Sequence, residues 1–291
     1  MLNRLFGNYL IEKKILIQDQ LNDFLPVPKD LKAEIETIAV ITKALTAEDA
    51  ISILSQIDKS KQRFGDVAVE SDYLSDDKLD YLLTYQSNDF MKFSQILFDN
   101  NIISLDQIVP LLNEFQIQSE FSDSQMNSLI HDDLEQCVSI FVPLKSPQLK
   151  DLIITTVQTL RKIVDRDVYL EKAYAARSFQ LDSYASQMIV GDMRINVYFT
   201  GAGNSLLGIA NHFTGDTYSE ICSDALDNVS EFINCINGQF ATNLSYENIS
   251  VDMNSPEYSL EGVLLSNQKL FIIPVNANGY NFKVVLEVYS D

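Results

Sequence analysis

The sequence predicts two domains: an all-α repeat half, then an α+β half in which an antiparallel sheet packs on two long helices. Three observations predict it. Residues 1–115 overlay on themselves with a period of 29, residues 217–244 carry an apolar stripe at helical spacing, and the chain after residue 249 breaks into short β-branched and aromatic runs between turn residues.

In the first half Leu16, Leu45, Leu74 and Ile103 coincide, as do Leu21, Ala50, Leu79 and Ile108, and Leu25, Leu54, Leu83 and Leu112. Upstream, Phe6, Ile35, Phe64 and Phe93 align, and so do Ile11, Val40, Val69 and Phe98. Such self-similarity means one supersecondary unit used four times. Each unit reads as a short helix (Phe64–Glu70 in the third), a turn, and a second helix starting near Gln18, Thr46, Ser75 or Ser104. At those starts a side-chain oxygen satisfies free backbone N–H groups, and acids in the first turn complement the helix dipole. Val27–Lys32 and Ser87–Met91 read as loops between units. Residues 116–146 read as a connecting segment with the domain boundary near residue 145. Within it 119–128 is polar enough for a loop, and Leu134–Pro143 apolar enough for a short strand or helix.

In the second half, 147–291, Leu149, Leu152, Ile153, Thr156, Leu160, Ile163 and Val164 recur at helical spacing, so Pro147–Asp165 is a long helix with proline in its first turn. A strand near Val168–Ser178 and another over Gln187–Phe199 form a hairpin, and Asn204–Phe213 is a short helix. Ile249–Met253, Leu260–Leu265, Leu270–Val275 and Phe282–Tyr289 are further strands, with Asn267-Gln268 and Asn278-Gly279 as turns. The last strand lies near the chain end, where it would form a sheet edge that pairs with another copy.

The long helix Thr217–Leu244 carries Ile221, Ala225, Val229, Phe232, Ile233, Ile236 and Phe240 on one face. Asp227, Glu231, Asn234 and Gly238 fall in a narrow arc almost opposite, on the solvent side. A glycine within a helix costs about 1 kcal/mol relative to alanine, so Gly238 suggests a place where another surface comes close. The plainer alternative is a solvated polar face.

Composition excludes several classes. Net charge is −20, split as −12 over residues 1–146 (12 basic, 24 acidic) and −8 over 147–291 (9 basic, 17 acidic). Neither half has a basic stripe to displace counterions from nucleic acid or an anionic membrane surface. No apolar run approaches the roughly 18 residues needed to span a bilayer, and the start lacks a signal-peptide core, so a cytoplasmic location is expected. Cys137, Cys222 and Cys235 are far apart and odd in number, which fits reduced thiols. His131 and His212 are too isolated for a metal cage or a catalytic triad, so no metal or other cofactor of its own is expected.

The pattern Asp227-x-x-x-Glu231-x-x-Asn234, followed by Gly238 and Pro256 and preceded by GDMRINVYF (191–199), resembles the CheC/CheX family of chemotaxis phosphatases over residues 147–291. A single such motif resembles CheX more than CheC. The resemblance implies a phosphatase for the aspartyl phosphate of a CheY-like receiver in two-component signalling. Glu231 and Asn234 would be catalytic, Asp227 and Gly238 would dock the partner, Mg²⁺ would come with the receiver, and the C-terminal domains would pair as a homodimer. Such an enzyme need add little beyond a water held in line with the P–O bond. A carboxamide can orient that water without adding negative charge, whereas a carboxylate would be repelled unless paired with a cation. Asn234 then positions and Glu231 docks on the receiver's lysine. The alternative is a non-enzymatic adaptor that binds a receiver.

The third repeat, RFGDVAVESDYLSDDKLDYLLTYQ (63–86), resembles the MshEN or GspE-N repeat of secretion and pilus ATPases. That resemblance implies nucleotide-binding positions at Arg63, Gly65 and Gln86, as in a cyclic di-GMP-responsive protein. Glu36 and Ser94 replace the glycine in neighbouring units, Asp72 replaces a second glycine, and acidic residues crowd the third repeat. A structural or docking role is therefore expected for this half.

Overall fold

Short amphipathic helices fill the chain as far as His131, most of them ended by a residue in the left-handed conformation. The computed structural model describes residues 1–57 and 62–289, the side chains of Asn267 and Gln268 excepted. It divides into two compact units, Leu2–Asp132 and Asp133–Asp291.

The first unit holds α1 (Leu2–Glu12), α2 (Gln18–Phe24), α3 (Ile35–Ile41), α4 (Ala47–Gln56), α5 (Phe64–Glu70), α6 (Asp76–Leu83), α7 (Asp89–Asp99), α8 (Leu105–Gln118) and α9 (Asp123–His131). Lys14, Lys43, Asp72 and Asn101 have φ of 61°, 58°, 58° and 55°, and they stand 29 residues apart. Around each, the chain folds back onto one carbonyl. Leu16, Leu45 and Leu74 donate to Leu10, Ala39 and Ala68, and Ile102 donates to Leu97. A left-handed non-glycine residue costs about 1 kcal/mol, which is offset by burying Leu16, Leu45, Leu74 or Ile103 directly after it.

Thr46 and Asp49 form a reciprocal cap on α4, and the Ser75 hydroxyl accepts from the Lys78 amide on α6. The Asn88 side chain caps α7 by accepting from Phe90 and Met91. This corrects the expected loop at Ser87–Met91, because an asparagine N-cap lets the helix begin at Asp89. The expected connecting segment 116–146 is helical as well. Its polar part is α9, capped by Ser122, and the unit boundary falls at 132/133, where Asp132 ends α9 with φ of 55°. Leu83, aligned with the buried Leu25 and Leu112 and the half-buried Leu54, is itself 42% exposed.

Tyr81, Tyr85 and His131 form a hydrogen-bonded chain, 2.6 Å between the hydroxyls and 3.2 Å from Tyr85 to Nε2. Burial, and then the bond with Tyr81, push the Tyr85 hydroxyl up to about 12. The fold therefore favours the neutral phenol. That contribution is whole below the unfolded value of about 10 and is lost as pH climbs from there towards the folded one. In Tyr85→Phe the fall in melting temperature above about pH 10 is expected to be shallower than in the parent; an identical slope would show that Tyr85 contributes nothing.

The second unit comprises α10 (Leu134–Phe141), α11 (Pro147–Ile163), β1 (Tyr169–Leu170), β2 (Tyr174–Gln180), β3 (Ser183–Gly191), β4 (Ile195–Gly201), α12 (Leu207–Thr214), α13 (Ser223–Tyr246), β5 (Val251–Met253), β6 (Glu257–Ser259), β7 (Leu264–Ala277) and β8 (Tyr280–Val288). The strands form one antiparallel sheet in the order β1-β7-β8-β4-β3-β5, with β2 also on β7 and β6 also on β3. α13 lies against β3, β4, β5 and β6, while α11 and α12 pack on α13. One sheet face meets α13 through Phe199 and Phe232. The other carries a second cluster of Leu181, Tyr198, Leu265, Leu270, Ile272 and Val285.

Four expectations are corrected here. Gln187–Phe199 is two strands, because Gly191 (φ 118°) ends β3 and lets the chain turn into β4. The expected first strand is two pieces, β1 and β2, that pair with β7 and not with β3. β7 continues through 267–268, where a bulge against β2 takes up the extra residues between Ser266 and Leu270, and 260–263 lie outside the strands. Finally, β8 is interior, paired with β4 on one side and β7 on the other, so its backbone is spent and it offers no edge for a dimer. Asn278 and Gly279, with φ of 51° and 77°, make the tight β7–β8 turn.

Candidate functional site

α13 is continuous for 24 residues from Ser223, so Ile221, expected on its stripe, precedes the helix and is half-buried, while Ala225, Val229, Phe232, Ile233, Ile236 and Phe240 are all buried. Asp227, Glu231, Asn234 and Gly238 lie along one arc of the continuous helix, exposed at Asp227 and Glu231 and half-buried at Asn234 and Gly238 further along it. Along this stretch α13 runs beside β3 and β5, with Asn234 bonded to Gln187 of β3 and Gly238 next to Met253 of β5. A Cβ at Gly238 would make only ordinary contact with Met253, at 3.8 Å. The glycine is therefore not required by anything inside the unit.

Asn234 is held from below. The Gln187 Nε2 of β3 donates to Asn234 Oδ1 at 2.7 Å and to the Asn254 carbonyl at 3.0 Å, and Gln187 Oε1 accepts from Asn237 Nδ2 at 2.9 Å. On the outer side Asn234 Nδ2 reaches Glu231 Oε2 at 3.4 Å. Gln187 is 2% exposed and Asn237 0%. The Asn254 carbonyl is available because the edge breaks there. β5 pairs with β3 as far as Met253 and β6 from Glu257, leaving Asn254–Pro256 between them.

Gln187, Asn237 and Asn254 were not anticipated. One signal was present: on β3, Ala185, Gln187 and Ile189 alternate as buried positions, and a glutamine among them needs partners.

The loop before α13 is clasped to it. Asn228 Nδ2 donates to Thr214 Oγ1 at 2.8 Å and to Asp216 Oδ2 at 3.2 Å. The Thr214 hydroxyl, followed by Asn228, holds the Asp216 carboxyl below its ordinary range. Among the described residues no three His, Cys, Asp or Glu side chains stand together as a metal site. No helix among them is long and apolar enough to cross a membrane.

Of the three positions singled out in the third repeat, Gly65 and Gln86 are engaged within the unit and Arg63 is exposed. A Cβ at Gly65 would meet Leu79 Cδ1 at 2.8 Å, and one at Gly7, in the same place of the first repeat's α1, would crowd Leu21. Gly65 therefore serves the close approach of α5 to α6, and its backbone is not open to a ligand. Gln86 is tied to Ala33 through its backbone carbonyl at 3.0 Å and its side chain at 3.3 Å. Arg63 is exposed at the N-cap of α5.

No family model and no curated protein matches the chain. Solved structures resemble half of it. A chemotaxis protein CheX from Desulfovibrio desulfuricans is 20% identical over 50% of this chain and 100% of its own, with a TM-score of 0.43. A chemotaxis protein CheX from Vibrio vulnificus is 16% identical over 50% and 100%, at 0.43. A CheX-CheY-BeF3-Mg complex from Borrelia burgdorferi gives 13% identity over 49% and 98%, at 0.36. At such values no residue's role is carried across.

Proposed function

We propose that the second unit is a phosphatase for the aspartyl phosphate of a CheY-like receiver, with Asn234 and Glu231 as its working residues. The observation that carries this is the fixed, half-buried Asn234 carboxamide beside the exposed Glu231 carboxylate, 3.4 Å away on a rigid helix. Hydrolysis forms a P–O bond to water and breaks the one to aspartate, giving free carboxylate and inorganic phosphate, which takes both of the water's protons as dihydrogen phosphate and passes one to solvent near neutral pH. Mg²⁺ and most charge stabilisation come with the receiver, so this chain needs no cofactor. What it adds is a water fixed in line, and fixing it removes part of the entropic barrier. Asp227 and Glu231 suit a cationic patch, Glu231 by pairing with the receiver's lysine, and Gly238 leaves room for a close surface. A receiver is also the partner in one of the resembling structures, the complex with CheY.

The test follows decay of a phosphorylated receiver, with Mg²⁺, in the presence and absence of the full chain. Acceleration at substoichiometric amounts is expected. Binding with an unchanged phosphate lifetime would replace the enzyme by an adaptor. In Glu231→Ala we expect KM to rise about threefold to tenfold with a slower kcat, since an interfacial ion pair contributes to both. An unaltered KM would remove Glu231 from docking. For the first unit we propose four copies of one helix pair in a structural or docking role.

A further inference from the structure

We propose that Gln187 is a positioning residue that locks the Asn234 carboxamide with its nitrogen facing the surface. The proposal rests on the phosphatase reading for its kinetic consequence, though the orientation itself does not depend on it.

The orientation follows from one atom whose role cannot change. The Asn254 backbone carbonyl can only accept, so the Gln187 atom 3.0 Å from it is the nitrogen. The same nitrogen lies 2.7 Å from Asn234, which must therefore present its oxygen inward. Gln187 turns its own oxygen to Asn237, whose Nδ2 donates to it at 2.9 Å. Reversing one amide would set donor against donor or acceptor against acceptor where water does not reach, since Gln187 and Asn237 are 2% and 0% exposed. The break in the edge strand at Asn254–Pro256 thus sets, through Gln187, which end of Asn234 faces out.

Facing out is a fixed N–H donor, with a carboxylate acceptor 3.4 Å away. Water held there gives one lone pair to the Asn234 N–H and one hydrogen to Glu231 or a receiver acceptor. Its second lone pair stays free for phosphorus. A carboxamide free to rotate would present its oxygen half the time and hold the water the wrong way round.

Two variants test this in the full chain. Gln187→Glu keeps the shape, but its carboxylate can only accept, so Asn234 must turn its nitrogen inward. Gln187→Met keeps the length and removes the donor, and carries the same readouts should the first fail to fold. Dephosphorylation of a CheY-like receiver is measured together with the Asn234 side-chain ¹⁵N amide signal, assigned by its loss in Asn234→Ala. We expect kcat to fall roughly tenfold to 100-fold with KM within about twofold. The Asn234 amide signal is expected to move in both variants, towards slow solvent exchange in Gln187→Glu. An unmoved signal overturns the proposal, and so does a moved signal with unchanged kcat, or KM and kcat changing together. A parent chain with no phosphatase activity would defeat the functional reading instead, and the amide signal would still decide the orientation.

Discussion

Asn234→Ala is expected to abolish acceleration of receiver dephosphorylation, with a fall in kcat of about 100-fold to 1000-fold, the usual cost of removing one preorganised donor from a transition state. Receiver binding is expected to persist, because the substitution deletes little surface and leaves Asp227 and Glu231 in place. The fold tolerates the change for a reason visible in the site. Gln187 Nε2 keeps the Asn254 carbonyl and Oε1 keeps Asn237, and the one Gln187 N–H that loses Asn234 Oδ1 faces a half-buried position where water takes the place of the deleted carboxamide. Alanine also suits a helix interior better than asparagine. Turnover on phosphorylated receiver, receiver affinity by calorimetry, and melting temperature separate the three effects. Loss of affinity in step with turnover would make Asn234 a docking residue.

The parts of the fold legible in the sequence are those where local chemistry and burial agree. The 29-residue period set four buried side chains after four left-handed turns, and those turns recur at Lys14, Lys43, Asp72 and Asn101. Only Asp72 and Asn101 are residue types that favour that conformation, so the turn was readable from periodicity and not from composition. Asn278-Gly279 was legible because few dipeptides fit both positive-φ positions of a two-residue hairpin. Strand pairing was not. Whether β8 is an edge or a centre depends on partners 80 or more residues away, such as Ile195 opposite Val288, and no local pattern encodes that. Asn267-Gln268 looked like a turn because polar, weakly strand-forming residues also serve at a bulge, which is where β7 breaks register with β2.

At the site, residue types on one helix face were legible, and what lies beneath them was not. Periodicity placed Glu231 and Asn234 on α13, but it could not show that β3 runs beside them and presents Gln187 to Asn234, which is half-buried there. Gly65 shows the opposite case. A glycine in a motif invites a ligand, yet Leu79 at 2.8 Å from its would-be Cβ gives a sufficient internal reason for it. The matching crowding of Leu21 at Gly7 was available to sequence reasoning only as a repeat position, since nothing local shows how close two helices come.

Phe199→Ala is expected to cost about 3–5 kcal/mol, as for other fully buried phenylalanines, out of a total that is about 5–15 kcal/mol for a typical domain. Phe199 is 0% exposed in β4, flanked by Ala185 of β3 and Val284 of β8. Its ring stacks on Phe282 at 5.8 Å and meets Phe232 edge-on at 6.1 Å, while Phe232 meets Phe213 at 5.5 Å. This aromatic chain joins sheet, α13 and α12. Surrounding strands hydrogen-bonded on both sides cannot collapse into the space, so most of the cavity persists. Urea unfolding followed by circular dichroism is the suitable probe, since the chain has no tryptophan. The midpoint is expected to fall sharply, whereas Leu264→Ser, at a position 58% exposed, should leave it in place. Phe232 adjoins Glu231 in sequence, so the surviving folded fraction of Phe199→Ala is also expected to turn over phosphorylated receiver more slowly, through displacement of α13 over Gln187. A midpoint shift no larger than that of Leu264→Ser would mean that Phe199 is not the keystone of the contact between sheet and helix.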